Sequence, residues 1–171
     1  MIRPLKLFLV SAALIACISV CFSQTTPDVP AGWQKISAKN YFTFYLPKSA
    51  WDTGWSGLDQ YYKEYRIGKL RFMFVHEPTM RLAYDRREKA FGKGFQEQVV
   101  EVAGSKAYLF TYQYKIRGRM RYFTDLYVGD FPNGEVKLWM QADSWRPKDL
   151  EIARKAFGTV EFLKSQDTSR N

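Results

Sequence analysis

Residues 106–129 read KAYLFTYQYKIRGRMRYFTDLYVG, and this stretch decides the fold. Lys106 to Ile116 and Met120 to Gly129 are rich in aromatic and β-branched residues, the composition of strands. Between them Arg117-Gly118-Arg119 is turn chemistry, because glycine tolerates the positive φ that tight turns need. So short a turn forces its two strands to run antiparallel. Working outward, Phe95 to Val102 and Glu135 to Ala142 are two more strands, set off by Gly104-Ser105 and Pro132-Asn133-Gly134. Met120, Tyr122, Leu126 and Val128 are expected on one apolar face, and Val136, Leu138, Met140 and Ala142 on another.

Upstream, Tyr41 to Leu46 is a further strand, ended by Pro47, which cannot donate to a sheet ladder. Its alternation puts Phe42, Phe44 and Leu46 on one core-facing stripe. Asp59 to Ile67 and Leu70 to His76 flank Gly68-Lys69, the signature of a hairpin. Glu77 to Gly94 is charged and reads as a loop, with one or two helical turns around Arg81 to Phe91. Downstream the period changes from two to about 3.6. Pro147 suits the first helical position, where its missing N–H costs nothing. Leu150, Ala153 and Phe157 then form a core-facing stripe, and Gly158 is a natural stop. Thr159 to Leu163 is a short strand or packed tail. The fold class expected is α+β: a twisted antiparallel sheet of about six or seven strands with a C-terminal helix packed on it.

The first 23 residues form a separate unit. Arg3 and Lys6 precede the 16-residue apolar run Leu7 to Phe22, the pattern of a secretory signal peptide. The run is shorter than the roughly 20 residues that span a bilayer comfortably. Cleavage is expected between Ser23 and Gln24. An alternative uses Leu14-Ile15-Ala16-Cys17, which is similar to a bacterial lipobox, with Cys17 acylated as the first mature residue. A retained anchor is the third reading. Both cysteines, Cys17 and Cys21, lie in this unit, so cleavage after Ser23 leaves 148 residues without a thiol. That product has neither disulfides nor cysteine-ligated metal. Residues 24–32 read as a flexible leader, 33–163 as one domain and 164–171 as a frayed tail. Losing the leader takes the formal charge from +9 to +7, a balance that favours acidic partners.

The order of elements has a precedent. A strand ending in a proline–tryptophan segment, Phe42 to Trp51, opens the domain; Val102-Ala103-Gly104-Ser105-Lys106-Ala107 makes a strand-to-strand turn; and a helix feeds the aromatic tail Phe157 to Phe162. This resembles the PsbP-like α/β/α sandwich superfamily, shared by the photosystem II extrinsic protein PsbP, a Ran-binding nuclear import factor and small secreted bacterial proteins. The resemblance covers Trp33 to Leu163. It implies an accessory or binding protein and carries no catalytic residue onto this chain.

The candidate reactive groups are sparse. His76 is the sole histidine, and Glu77 beside it would face the opposite way on a continuing strand. It is read as a strand-end residue rather than as a metal ligand or the base of a serine triad. Ser56, Ser105 and Ser144 are expected in loops without a nucleophile-elbow pattern. Glu97 with Glu101, and Asp125 with Asp143, are the carboxylate pairs a small hydrolase would use. They are read as solvated acids on an open sheet face, outside any apolar pocket. No glycine-rich phosphate cradle is present, and no cofactor is expected.

The most concrete surface feature is the basic cluster Lys115, Arg117, Arg119 and Arg121, with Tyr114 and Tyr122 close in sequence. Arginine interleaved with aromatic rings holds acidic ligands by charge, stacking and cation–π contact. A second basic group, Arg81, Arg86, Arg87, Lys89 and Lys93, occupies the long loop, and Trp51, Trp55, Tyr61, Tyr62 and Tyr65 form an aromatic region. The expected role is an exported, non-catalytic accessory protein. Its partner is a protein, an envelope polymer or an anionic surface rather than nucleic acid. Two alternatives stand beside it, a carboxylate-based hydrolase and an assembly factor docking through a sheet edge.

Overall fold

The structure, a computed structural model, describes residues 28–55, 62–78, 94–130 and 135–163. The leader with Cys17, Ser23 and Gln24, the loop basic group, Ser56, Tyr61 and the tail lie outside those residues. Among the described residues ten strands run in chain order: β1 (Trp33–Ala38), β2 (Phe42–Pro47), β3 (Trp51–Asp52), β4 (Tyr62–Ile67), β5 (Leu70–His76), β6 (Gln96–Val102), β7 (Ser105–Ile116), β8 (Arg119–Gly129), β9 (Val136–Ser144) and β10 (Glu161–Phe162). A 3₁₀ turn over Pro147–Asp149 leads into helix α1 (Leu150–Phe157). The α+β class expected from sequence is the one observed.

Seven strands form one antiparallel sheet in the order β3-β4-β5-β9-β8-β7-β6, and β1-β2-β10 form a second. The meander β6 to β9 follows from its short turns. The pairing of β5 with β9 does not, and it joins the two halves of the large sheet. Phe72 lies opposite Ala142 and Phe74 opposite Met140, so that seam is made of apolar pairs on one face.

The inner face of the large sheet buries Leu70, Phe72, Phe74, Leu126, Val128, Leu138, Met140 and Ala142. Phe42, Phe44 and Leu46 of β2 and Leu150, Ala153 and Phe157 of α1 close over them. Each such side chain contributes about 1.5–3 kcal/mol when fully buried, so this layer is the main source of stability. Thr159 locks the helix to the small sheet. Its Oγ1 donates to the Ala156 carbonyl at 2.7 Å and accepts from the Tyr45 amide at 2.9 Å. Gly158 ends the helix with φ −69°, without entering the left-handed region.

The outer face is apolar as well, with Tyr108, Phe110, Tyr112, Phe123 and Tyr127 buried and Phe95, Ile116, Val136 and Trp139 packed against them. Val136 therefore leaves the stripe predicted for it. The register shifts at Val128/Gly129, and a bulge of one residue turns the following side chain to the opposite face. Gly129 makes this possible. At φ +132° a Cβ there would stand 2.3 Å from the Glu135 carbonyl oxygen. Among the described residues one helix is present, on the inner face; the helical turns expected around Arg81 to Phe91 lie outside them.

Candidate functional site

The β7–β8 hairpin turns on Arg117 and Gly118, both at positive φ (+49° and +78°), the geometry of a type I′ turn. Its register sets Ile116 opposite Arg119, Tyr114 opposite Arg121 and Tyr112 opposite Phe123. Strand alternation then divides the six residues picked out by sequence. Tyr114, Arg119 and Arg121 share the outer face. Lys115 and Tyr122 lie on the inner side, where Tyr122 packs against the main core. Arg117 is exposed at the tip.

On the outer face the rings and cations stack in series. Phe123 lies 4.6 Å from Tyr114 and 5.0 Å from Tyr112, nearly parallel to both. The Arg121 guanidinium stands 5.9 Å from Phe123 and 5.1 Å from Trp145. Arg119 covers the same indole at 5.6 Å. Trp145 thus belongs to the cluster, although the sequence reading passed over it. It arrives through the pairing of Ser144 with Tyr122, which no local pattern announces.

Arg121 is also a structural cation. Its Nε and Nη2 donate to Asp143 Oδ1, while Arg71 Nε donates to Asp143 Oδ2 at 2.6 Å. Arg71 and Arg66 both approach Glu64, at 3.9 and 3.3 Å. Asp143 is fully buried between its two arginines, which corrects the reading of it as a solvated acid. A buried carboxylate persists in charged form only when paired in this way.

Asp125 corrects that reading further. Only 2% exposed, its Oδ2 accepts from the Tyr112 hydroxyl at 3.0 Å, and Oδ1 has no hydrogen-bond partner. Burial pushes its pKa up to about 7, and hydrogen bonds from Gln141 and Tyr112 offset only part of that. Burial, and then the neighbouring Asp125 charge, raise the Tyr112 hydroxyl in turn. The nearby Trp139 Nε1 is likewise buried and unpaired. Both carboxyls of this pair are enclosed rather than solvated.

The other candidates are placed apart from these groups. His76 stacks on Tyr41 at 3.8 Å, and burial lowers its pKa. Glu77 has φ +48°, so the strand does not continue through it. Ser144 ends β9 rather than sitting in a loop, and its Oγ donates to Asp149 at 2.6 Å. Among the described residues no group of three histidine, cysteine or acidic side chains is arranged to hold a metal ion. Nor is any described helix long and apolar enough to cross a membrane. A cavity of about 610 Å³ between α1 and β6–β7 is lined by Gln96, Glu97, Gln98, Leu109, Thr111 and Arg154.

The chain matches no protein-family model and no curated protein sequence. Among solved structures it is similar to a Bacteroides thetaiotaomicron protein, with TM-score 0.50 and 12% identity over 72% of this chain and 46% of that one. It thus spans just under half the length of that protein. A protein of unknown function from Pseudomonas aeruginosa aligns with TM-score 0.43 and 17% identity, over 72% of this chain and 90% of that one. LpqN of Mycobacterium tuberculosis, involved in cell envelope biogenesis, aligns with TM-score 0.39 and 15% identity, over 79% and 80%. With the Bacteroides thetaiotaomicron protein, at 12% identity, what is shared is the fold alone, and fold does not fix function.

Proposed function

We propose that this chain is an exported, non-catalytic accessory protein that holds an acidic partner against the outer side of the β7–β8 hairpin. The observation carrying the proposal is the stack in which Arg119 and Arg121 flank Trp145 beside Tyr114 and Phe123. Trp145 and Tyr114 keep 36% and 39% of their surface exposed, so the stack is open to a ligand. Arg121 supplies rigidity through Asp143, and Arg119 and Arg117 supply accessible charge. The excess of basic over acidic residues supports the same reading, as does the resemblance to the PsbP-like sandwich with its accessory members. Export rests on the leader pattern. Sequencing the N-terminus of the mature protein distinguishes Gln24 from an acylated Cys17.

The test is retention on a carboxylated or sulfated matrix. Exposed charge is screened within about 10 Å at 0.1 M salt, so retention is expected to collapse as salt rises and on Arg117→Ala with Arg119→Ala. Retention indifferent to salt and to both substitutions would refute the proposal. A second reading, docking through a sheet edge, draws on β6, where Val99 is 58% exposed at the strand centre. It predicts a specific crosslinked partner that survives high salt.

A further inference from the structure

Strand register places one residue from each of six strands on a single line across the outer face. Trp51 of β3 lies opposite Arg66 of β4, Arg66 opposite Arg71 of β5, and Arg71 opposite Asp143 of β9. Asp143 lies opposite Phe123 of β8, and Phe123 opposite Tyr112 of β7. Directly paired residues share a face, so the row is continuous. At Asp143 it meets Arg121, and through Arg121 it meets Trp145. The hairpin cluster is therefore one end of a longer strip whose far end is Trp51, 58% exposed. Four inter-strand steps of about 4.8 Å separate β3 from β8, a span of roughly 19 Å.

We propose that this strip binds one linear acidic polysaccharide laid across the strands. Its sugar faces rest on Trp51 and Trp145, and its carboxylates meet Arg66, Arg71 and Arg121. The inference rests on the reading that the hairpin takes an acidic partner, and it names that partner's chemistry and path. Three guanidinium groups face two carboxylates, Glu64 and Asp143, so the strip keeps a positive excess, to which Arg119 adds. Within the strip Arg71 donates through Nε and Arg121 through Nε and Nη2, while Arg71 Nη1 and Arg66 Nε form looser ion pairs with Glu64 at 3.9 and 3.3 Å. Each guanidinium carries five N–H donors, so the groups are oriented without being exhausted.

The arginines are recessed, with 21–37% of their side chains exposed, because Glu64 and Asp143 draw them onto the sheet. A flat bilayer would meet the tryptophans first and leave the cations short of its headgroups. A single chain lying along the strip reaches both. Rings at the two ends favour a sugar polymer over bare polyphosphate, since indole faces stack on rings.

The experiment measures binding of the purified mature protein to polygalacturonate, to inorganic polyphosphate and to phosphatidylserine vesicles. The wild type is expected to bind polygalacturonate. Trp51→Ala and Arg66→Ala, both at the end remote from the hairpin, are each expected to weaken that binding about tenfold. Trp51→Phe, which keeps a ring, is expected to retain most of it, and polyphosphate binding is expected to be unmoved by Trp51→Ala. If Arg119→Ala weakens polygalacturonate binding while Trp51→Ala and Arg66→Ala do not, the extended strip is refuted and the hairpin reading survives. If none of the three probes binds, both fail. Vesicle binding without polygalacturonate binding overturns the proposal, as does equal loss with Trp51→Phe and Trp51→Ala.

Discussion

Asp125 and Asp143 lie on the same face of adjacent strands, two positions out of register, and only Asp143 is paired with cations. Asp143 stands opposite Phe123 and accepts from Arg71 and Arg121. Asp125 stands opposite Gln141 and meets the neutral Tyr112 hydroxyl. Two carboxyl groups of one chemical type therefore carry different energetic consequences within one sheet.

For Asp125 the consequence is pH-dependent stability. Its folded pKa of about 7 lies above the ordinary 3.8, so the folded state holds an extra proton between those values. The contribution of Asp125 to stability is full below about pH 4 and falls as pH rises towards 7, by at most about 1.4 kcal/mol per pH unit. Asp125→Asn is expected to flatten this slope and to raise the urea midpoint at pH 8. If Asp125 instead served a hydrolase, the same substitution would abolish turnover; a more stable variant with binding intact identifies it as a core group.

Asp143→Asn is expected to act in the opposite sense. It leaves Arg71 and Arg121, with 29% and 21% of their side chains exposed, without their shared counter-charge. Removing one partner of a buried pair costs about 3–5 kcal/mol. Denaturant melts measure that loss. Tryptophan fluorescence is expected to change as well, because Trp145 stacks on Arg121.

Gly129→Ala tests the bulge. The added Cβ meets the Glu135 carbonyl oxygen at 2.3 Å, and φ +132° is foreign to alanine. A loss of about 2–3 kcal/mol is expected. A variant with unchanged stability would show that the β8–β9 register tolerates displacement there.

Lys115→Ala and Arg119→Ala separate the two sides of the hairpin. The two residues are four positions apart, yet alternation sends them to opposite faces. Retention on an acidic matrix is expected to weaken severalfold with Arg119→Ala and hardly at all with Lys115→Ala. Equal losses would mean that net charge, rather than the stacked face, governs binding.

Most of the secondary structure was legible because its signals are local; β1 and the two-residue β3 were not. Alternation over 106–129 marks two strands, Arg117-Gly118 marks their turn, and Pro147 followed by Leu150, Ala153 and Phe157 marks the helix. The candidate site was legible only in part. Arg119, Arg121 and Tyr114 were found through nearness in sequence, and Lys115 and Tyr122 were grouped with them on the same ground. Trp145, Arg71 and Trp51 lie too far along the chain for that signal. Asp125 and Asp143 resembled solvated acids because a strand with one polar face and a strand buried on both faces can carry the same alternation.

By itself the amino-acid order determined the β7–β8 hairpin, its turn and the C-terminal helix, since these follow from backbone geometry over a few residues, whereas β1 and β3 escaped it. The tertiary structure alone decided that β5 lies beside β9, that Val136 crosses to the other face, and that two arginines close on Asp143. Those outcomes depend on which strands become neighbours. That choice is settled by packing both faces of the sheet at once, a condition no short window of sequence contains.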